Sequence, residues 1–316
     1  MLRRDRDGIL QIDQEIEKNY DIVTLSVIKH FIQLLRIHQW PKNLFVFSGL
    51  LLAMKDVNLN MVLVSFLAFF LFCCISSSVY IVNDIADIKK DSLHPVKRLR
   101  PLPSGKIKIR HAFLVFLVLS SFTLLFSFQL NLYFGIIISS YFLLNLFYSF
   151  KLKDIVIVDV LIISIGFVLR SISGFLALGV DISIWLILSI AFLTMFLGLN
   201  KRKKEIIRLA ENSKKHRKNL NDYSIALINE ILPMLTACTI ISYSFYIIYD
   251  VNSRYMLVTI PIVLYGILRY QYLTNQTEHG ESPDLVLLRD KPIIFIMILW
   301  LLVHISISLG SAILEL

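Results

Sequence analysis

The chain has 316 residues, 56% of them hydrophobic, with 32 Lys and Arg against 23 Asp and Glu for a net charge of +9, and a mean hydropathy of +0.70. That composition excludes an ordinary soluble domain and predicts an all-α polytopic membrane protein embedded in a lipid bilayer. The positive balance does not imply nucleic acid as a partner, because basic loops in a membrane protein mainly set its topology.

Residues 1–30 are polar to amphipathic, and Asp13 to Lys29 suit a helix lying along the cytoplasmic leaflet. The N-terminal MLRRDRDG carries charge with no apolar run directly behind it, so no cleavable signal is read there. Residues 31–316 are expected to form a single transmembrane catalytic domain, with no second, soluble one. Nine candidate spans are read against the roughly 20 residues that cross a bilayer: 41–55, 60–84, 110–129, 131–150, 155–178, 183–200, 225–249, 254–272 and 292–313; the first is short, and either begins earlier or sits partly in the interface. Trp40 before the first suits the membrane interface, and Pro41 suits a first helical turn. With nine spans, all Lys and Arg but Lys55, Arg254 and the intramembrane Arg170 fall on one face. That asymmetry places the N-terminus and the long loops in the cytoplasm, as caps on a multi-pass inner-membrane protein. Cys73, Cys74 and Cys238 sit in apolar runs without CxxC spacing and are read as packing thiols.

Four constellations stand out from this background. The second span ends in Asn83, Asp84, Asp87 and Asp91. Asn83, Asp87 and Asp91 are four apart and share a helical face, and Asp84 lies about 100° round from Asn83. These hard oxygen ligands suit Mg²⁺ carried with a diphosphate; the plainer reading is a solvated helix end. Lys97, Arg98 and Arg100 follow in a loop ordered by Pro95, Pro101, Pro103 and Gly105. They suit phosphate oxygens, or anionic lipid. In YSFKLKDIVIVDVLIISIGFVLR (148–170), Asp159 and Arg170 are ionisable groups inside a span, a default functional signal. Lys151 and Lys153 are explained equally by snorkelling at a boundary. Lys201 and Arg202 open the run KRKKEIIRLAENSKKHRK, most of it a solvated helix, and a weaker charged cluster lies at Glu281, Asp284, Arg289 and Asp290.

Asn83-Asp84-Ile-Ala-Asp87-Ile-Lys-Lys-Asp91 resembles the first aspartate motif of the UbiA superfamily. RIHQWPKN (36–43), YIVNDIADIKKDSLHPVKRLRPLPSG (80–105), YSFKLKDIVIVDV (148–160), GFVLRSISGF (166–175), ILRY (267–270) and LRDKP (288–292) resemble its decaprenyl-phosphate phosphoribosyltransferase branch. The resemblance implies a bundle of nine transmembrane helices and Mg²⁺ as cofactor. It implies transfer of 5-phosphoribosyl from 5-phosphoribosyl-1-diphosphate (PRPP) to a polyprenyl phosphate, releasing pyrophosphate, as a step in cell-wall biogenesis. Asp84, Asp87, Asp91 and Asp159 are then the catalytic carboxylates, and Asn83, Asp84 and Asp87 the metal ligands. Lys42, Lys97, Arg98, Arg100, Tyr148, Lys153, Arg170, Lys201 and Arg202 are the substrate-binding set. A homo-oligomer is compatible with it. Pro41 in QWPKN and Asn200 before Lys201, where Gly is more usual, depart from the branch. A second reading is prenyl transfer from an isoprenoid diphosphate to an aromatic acceptor, against which the lack of a second DxxxD motif counts. A third is a transporter or membrane scaffold, against which the scarcity of mid-span charge counts.

Overall fold

The protein is described by a computed structural model over residues 28–211, 223–276 and 289–314. All regular structure among these residues is helical, with no strand. Eight helices are long and apolar enough to cross a membrane: α1 (Leu59–Ala86), α2 (Ile109–Leu130), α3 (Leu132–Phe150), α4 (Val158–Leu178), α5 (Ile184–Glu211), α6 (Ile225–Phe245), α7 (Thr259–Gln276) and α8 (Lys291–Leu314). Local chemistry fixes their ends. Asn131 and Ser224 accept hydrogen bonds from the first free amides of α3 and α6, and Ser183 and Asp290 do so for α5 and α8. Gly179 ends α4 in the left-handed conformation, and the Val180 amide reaches back to the Phe175 carbonyl.

The expected first span is corrected. Residues 41–55 are not one membrane-length helix but a 3₁₀ segment Ile37–Phe47, an α-helical turn and a half at Ser48–Leu52, and a 3₁₀ turn Ala53–Asp56. Among the described residues the long spans therefore number eight, not nine. Pro41 removes a backbone donor inside the segment. The chain then presses backbone to backbone on α4: a Cβ at Gly174 would lie 1.8 Å from the Val46 carbonyl oxygen, and one at Gly49 would lie 2.7 Å from the Gly174 carbonyl. Only glycine allows that approach. The expected helix at Asp13–Lys29 lies outside the described residues except for its last two positions, which begin a short helix over 28–34. Residues 212–218 of the basic run, Glu281 and Asp284 lie outside them too.

The chain divides into two compact units. The first holds the described residues up to Trp40 with Cys74–Phe122, and the second holds Pro41–Cys73 with those from Thr123 onward. In the first, Leu34, Ile81, Leu102, Ile107 and Ala112 form the core, packing the 28–34 helix, the end of α1 and the start of α2 together. In the second, α4 packs against α3, α5 and the broken segment, α5 against α6, and α7 against α8. Its larger core gathers Val160, Phe196, Leu199, Leu232, Leu235 and Tyr270.

Candidate active site

In the first unit, the end of α1 builds an acidic pair bracketed by arginines. Asp84 and Asp91 are 2% and 4% exposed. They stand seven residues apart, and one guanidinium reaches both. Asp87 interrupts the helix (φ −97°, ψ 5°), and Asp91 lies on the short helix Ile88–Ser92 that resumes it. Arg100 Nη1 donates to Asp91 Oδ2 at 2.5 Å and to Asp84 Oδ1 at 3.1 Å. Arg36 pairs with the same Asp84 oxygen, and its guanidinium lies 5.0 Å from the centre of the Tyr80 ring. Lys97 Nζ is 3.9 Å from Asp91 Oδ1. The Pro101-Leu-Pro103 turn sets Arg100 in place, with the Ser104 hydroxyl and amide closing back on the Arg100 carbonyl. Arg36 adopts φ +50°, a left-handed conformation that a long side chain rarely takes.

In the second unit, two buried polar networks occupy α4. Around Arg170, Nε donates to Asn43 Oδ1, Nη1 to the Gly166 carbonyl and Nη2 to the Tyr141 hydroxyl, all at 2.7 Å. The rings of Phe72, Tyr141 and Phe167 surround the guanidinium at 4.8–5.5 Å. All three acceptors are neutral. At the start of α4, fully buried Asp159 accepts from the Tyr223 hydroxyl at 2.7 Å. Its other oxygen lies 2.9 Å from Arg202 Nε, an ion pair without hydrogen-bond alignment. Arg202 also pairs with Glu205. Burial, with the hydrogen bond to Asp159 and its charge adding to it, pushes the Tyr223 phenol well above its ordinary range.

The sequence-predicted residues sort accordingly. Asp84, Asp91, Arg100 and Lys97 come together. Asn83 and Asp87 are half-buried beside them, and Arg98 is exposed on the loop. Asp159 and Arg170, the two ionisable groups singled out inside one span, enter separate networks. Arg202 is held by carboxylates. Lys153 is buried in the 3₁₀ turn Leu152–Asp154. Tyr148, Lys201 and Lys42 are half-buried, Lys42 next to Asn43. Arg36 and Tyr223 were missed as site residues. Arg36 reaches a partner 48 residues away and Tyr223 one 64 away, and neither contact leaves a local pattern. Arg36 lay within the RIHQWPKN segment without any spacing to single it out.

No three His, Cys, Asp or Glu side chains among the described residues lie close enough to hold a metal ion. The donor set nevertheless fits Mg²⁺ arriving with a diphosphate, which takes one or two protein carboxylates and completes its shell with phosphate and water. Arg100 Nη1 already stands as a cation touching both Asp84 and Asp91.

The UbiA prenyltransferase family model matches residues 43–307. A decaprenyl-phosphate phosphoribosyltransferase of Corynebacterium glutamicum is 31% identical over 85% of this chain and 83% of its own length. One of Mycolicibacterium smegmatis is 27% identical over 87% and 91%. Among solved structures, a UbiA homolog from Archaeoglobus fulgidus bound to GPP and Mg²⁺ superposes with a TM-score of 0.67 at 18% identity, covering 89% of this chain and 99% of that one; at that identity the likeness speaks for the fold. The eight apolar helices, the matched model and the length of the shared alignments lead to one conclusion: this chain is a multi-pass membrane protein that belongs to the UbiA prenyltransferase family.

Proposed function

We propose that the protein transfers 5-phosphoribosyl from PRPP to a polyprenyl phosphate, releasing pyrophosphate and leaving polyprenylphosphoryl-5-phosphoribose in the membrane for cell-envelope synthesis. The observation that carries this is the buried Asp84–Asp91 pair, bracketed by Arg36 and Arg100. Carboxylates and guanidiniums alternating in one place suit a diphosphate and its counter-ion better than either charge alone. The names of the relatives in C. glutamicum and M. smegmatis point the same way.

In the reaction, an oxygen of the lipid phosphate attacks C1 of the ribose, the bond from C1 to the diphosphate oxygen breaks, and its electron pair leaves with pyrophosphate. The nucleophile is already ionised, so no side chain needs to remove a proton. The protein's task is positioning and charge stabilisation. Asp84 and Asp91, with Asn83 and Asp87 beside them, would hold Mg²⁺, which when bound offsets charge on the departing diphosphate. Arg36, Arg100, Lys97 and Arg98 offer donors to its oxygens, Arg bidentately. Arg170, a buried cation that donates to Asn43, Gly166 and Tyr141, and the cations Lys42, Lys153 and Lys201 are assigned to the remaining phosphates, and Tyr148 to the ribose. Arg202 is assigned to support, through Asp159. Residues 31–316 are assigned to one catalytic domain of the inner membrane, with the loops after α1 and α5 in the cytoplasm, the side that the excess of Lys and Arg in those loops favours.

The test is incubation of the purified protein with ribose-labelled PRPP, a polyprenyl phosphate and Mg²⁺. Label is expected in the organic phase. Its absence, together with consumption of a prenyl diphosphate and an aromatic acceptor, would replace this reading with prenyl transfer.

A further inference from the structure

The turn between α3 and α4 holds a residue that should not rest there unaided. Ile157 has φ +66°, a conformation that a β-branched side chain adopts only under strain. Its amide is no ordinary helix-start amide either. It donates to the Tyr223 hydroxyl at 2.7 Å, and that hydroxyl donates in turn to Asp159 Oδ1 at 2.7 Å. Asp159 Oδ1 also accepts from the Val160 amide at 2.9 Å, while Arg202 holds the other carboxylate oxygen. The chain is continuous from strained backbone to phenol to carboxylate to guanidinium, and Asp159, Arg202 and Tyr223 are all buried. The 3₁₀ turn Leu152–Asp154, with the buried Lys153, lies just before Ile157.

We infer that Tyr223 is a positioning residue: its hydroxyl pins the Ile157 amide, and through that strained backbone holds Lys153 where a substrate phosphate is bound. Asp159 orients the phenol and takes no part in the bond changes. Arg202 neutralises Asp159 and is unavailable to phosphate. The kinetic part of this inference rests on the phosphoribosyl-transfer reading; the structural part does not.

The experiment uses the full-length protein with Tyr223→Phe, and Tyr223→Phe combined with Ile157→Gly. Two readouts are taken: amide hydrogen exchange over peptides spanning 151–161, and KM and kcat for PRPP. In Tyr223→Phe, exchange in that turn should speed up by about tenfold and KM should rise by a similar factor, the ratio one hydrogen bond supplies, while kcat stays near wild type and the thermal midpoint falls modestly because buried Asp159 loses one of its donors. Glycine carries no penalty at positive φ, so the double variant should recover most of the KM. Unchanged exchange in Tyr223→Phe overturns the pin. A lowered thermal midpoint with KM unchanged makes the phenol merely structural. A KM loss that Ile157→Gly does not recover makes it a direct substrate contact. If wild-type protein shows no transfer from PRPP, the proposed function fails, and the exchange readout still decides the pin.

Discussion

Asp84 is the residue on which two arginines converge, and its two kinds of replacement should behave differently. Asp84→Asn keeps the shape and removes the charge; turnover is expected to fall by on the order of 10²–10³, the usual cost of losing a charge-stabilising group, with the protein still folded. Arg36→Gln instead leaves a buried carboxylate short of a partner, so the fold itself should weaken, by about 3 kcal/mol, alongside lost activity. Thermal unfolding and the transfer assay separate the two cases. The acids were legible because NDxxDxxxD concentrates oxygen side chains at the end of an apolar run. Which of them pair was not: the four-residue spacing favours Asn83, Asp87 and Asp91, whereas the structure pairs Asp84 with Asp91 through Arg100. Asp87 interrupts the helix, and a guanidinium from the following loop selects the two carboxylates it can touch together. The same limit hid the partners of Asp159, which lie on α5 and just before α6.

At the scale of elements, hydropathy located α1 to α8, although α5 runs on to Glu211, past the expected end at 200, and it read as a span the stretch before them that the structure builds from short pieces. Ile37–Asp56 is apolar enough to pass for a span, yet Pro41 and the contact of Gly49 with Gly174 break it into short pieces. Hydropathy does not register a backbone-to-backbone approach. Gly174→Ala should therefore cost more than a surface exchange, about 1–3 kcal/mol from overpacking, seen as a lowered thermal midpoint; an unchanged midpoint would mean that the segment yields. A second element-level device joins α7 to the start of α8. Arg269 Nη2 donates to Asp290 Oδ2 at 3.0 Å, while Asp290 Oδ1 caps the Ile293 amide. The Arg269 hydrogen bonds first, then the Ile293 amide, hold the Asp290 carboxyl below its ordinary value against a lesser opposing effect of burial. A carboxyl with a lower pKa in the folded state stabilises the fold above its unfolded value, about 4, and loses that contribution as pH falls through its folded value. The midpoint should thus fall more between pH 5 and pH 3 in wild type than in Arg269→Gln. The pair is partly exposed, so the difference is small.

For the whole molecule, charge asymmetry gives the most direct topological expectation. Single cysteines at exposed Arg98 and Arg254, in a background lacking Cys73, Cys74 and Cys238, should react with a membrane-impermeant maleimide from opposite sides, Arg98→Cys from the cytoplasm. Labelling of both from one side would contradict the orientation. Membrane class and family were legible throughout, because apolar length and motif order survive without knowledge of contacts. The division into two units was not, since its boundaries cut through α1 and α2, helices that read as unbroken apolar runs. Substitution at C1 of the ribose can be followed by phosphorus NMR of a reaction holding the protein, PRPP, polyprenyl phosphate and Mg²⁺. Loss of PRPP should be matched one for one by free pyrophosphate and by a new phosphodiester resonance in the lipid fraction. PRPP left intact, or pyrophosphate appearing without the phosphodiester, would contradict it.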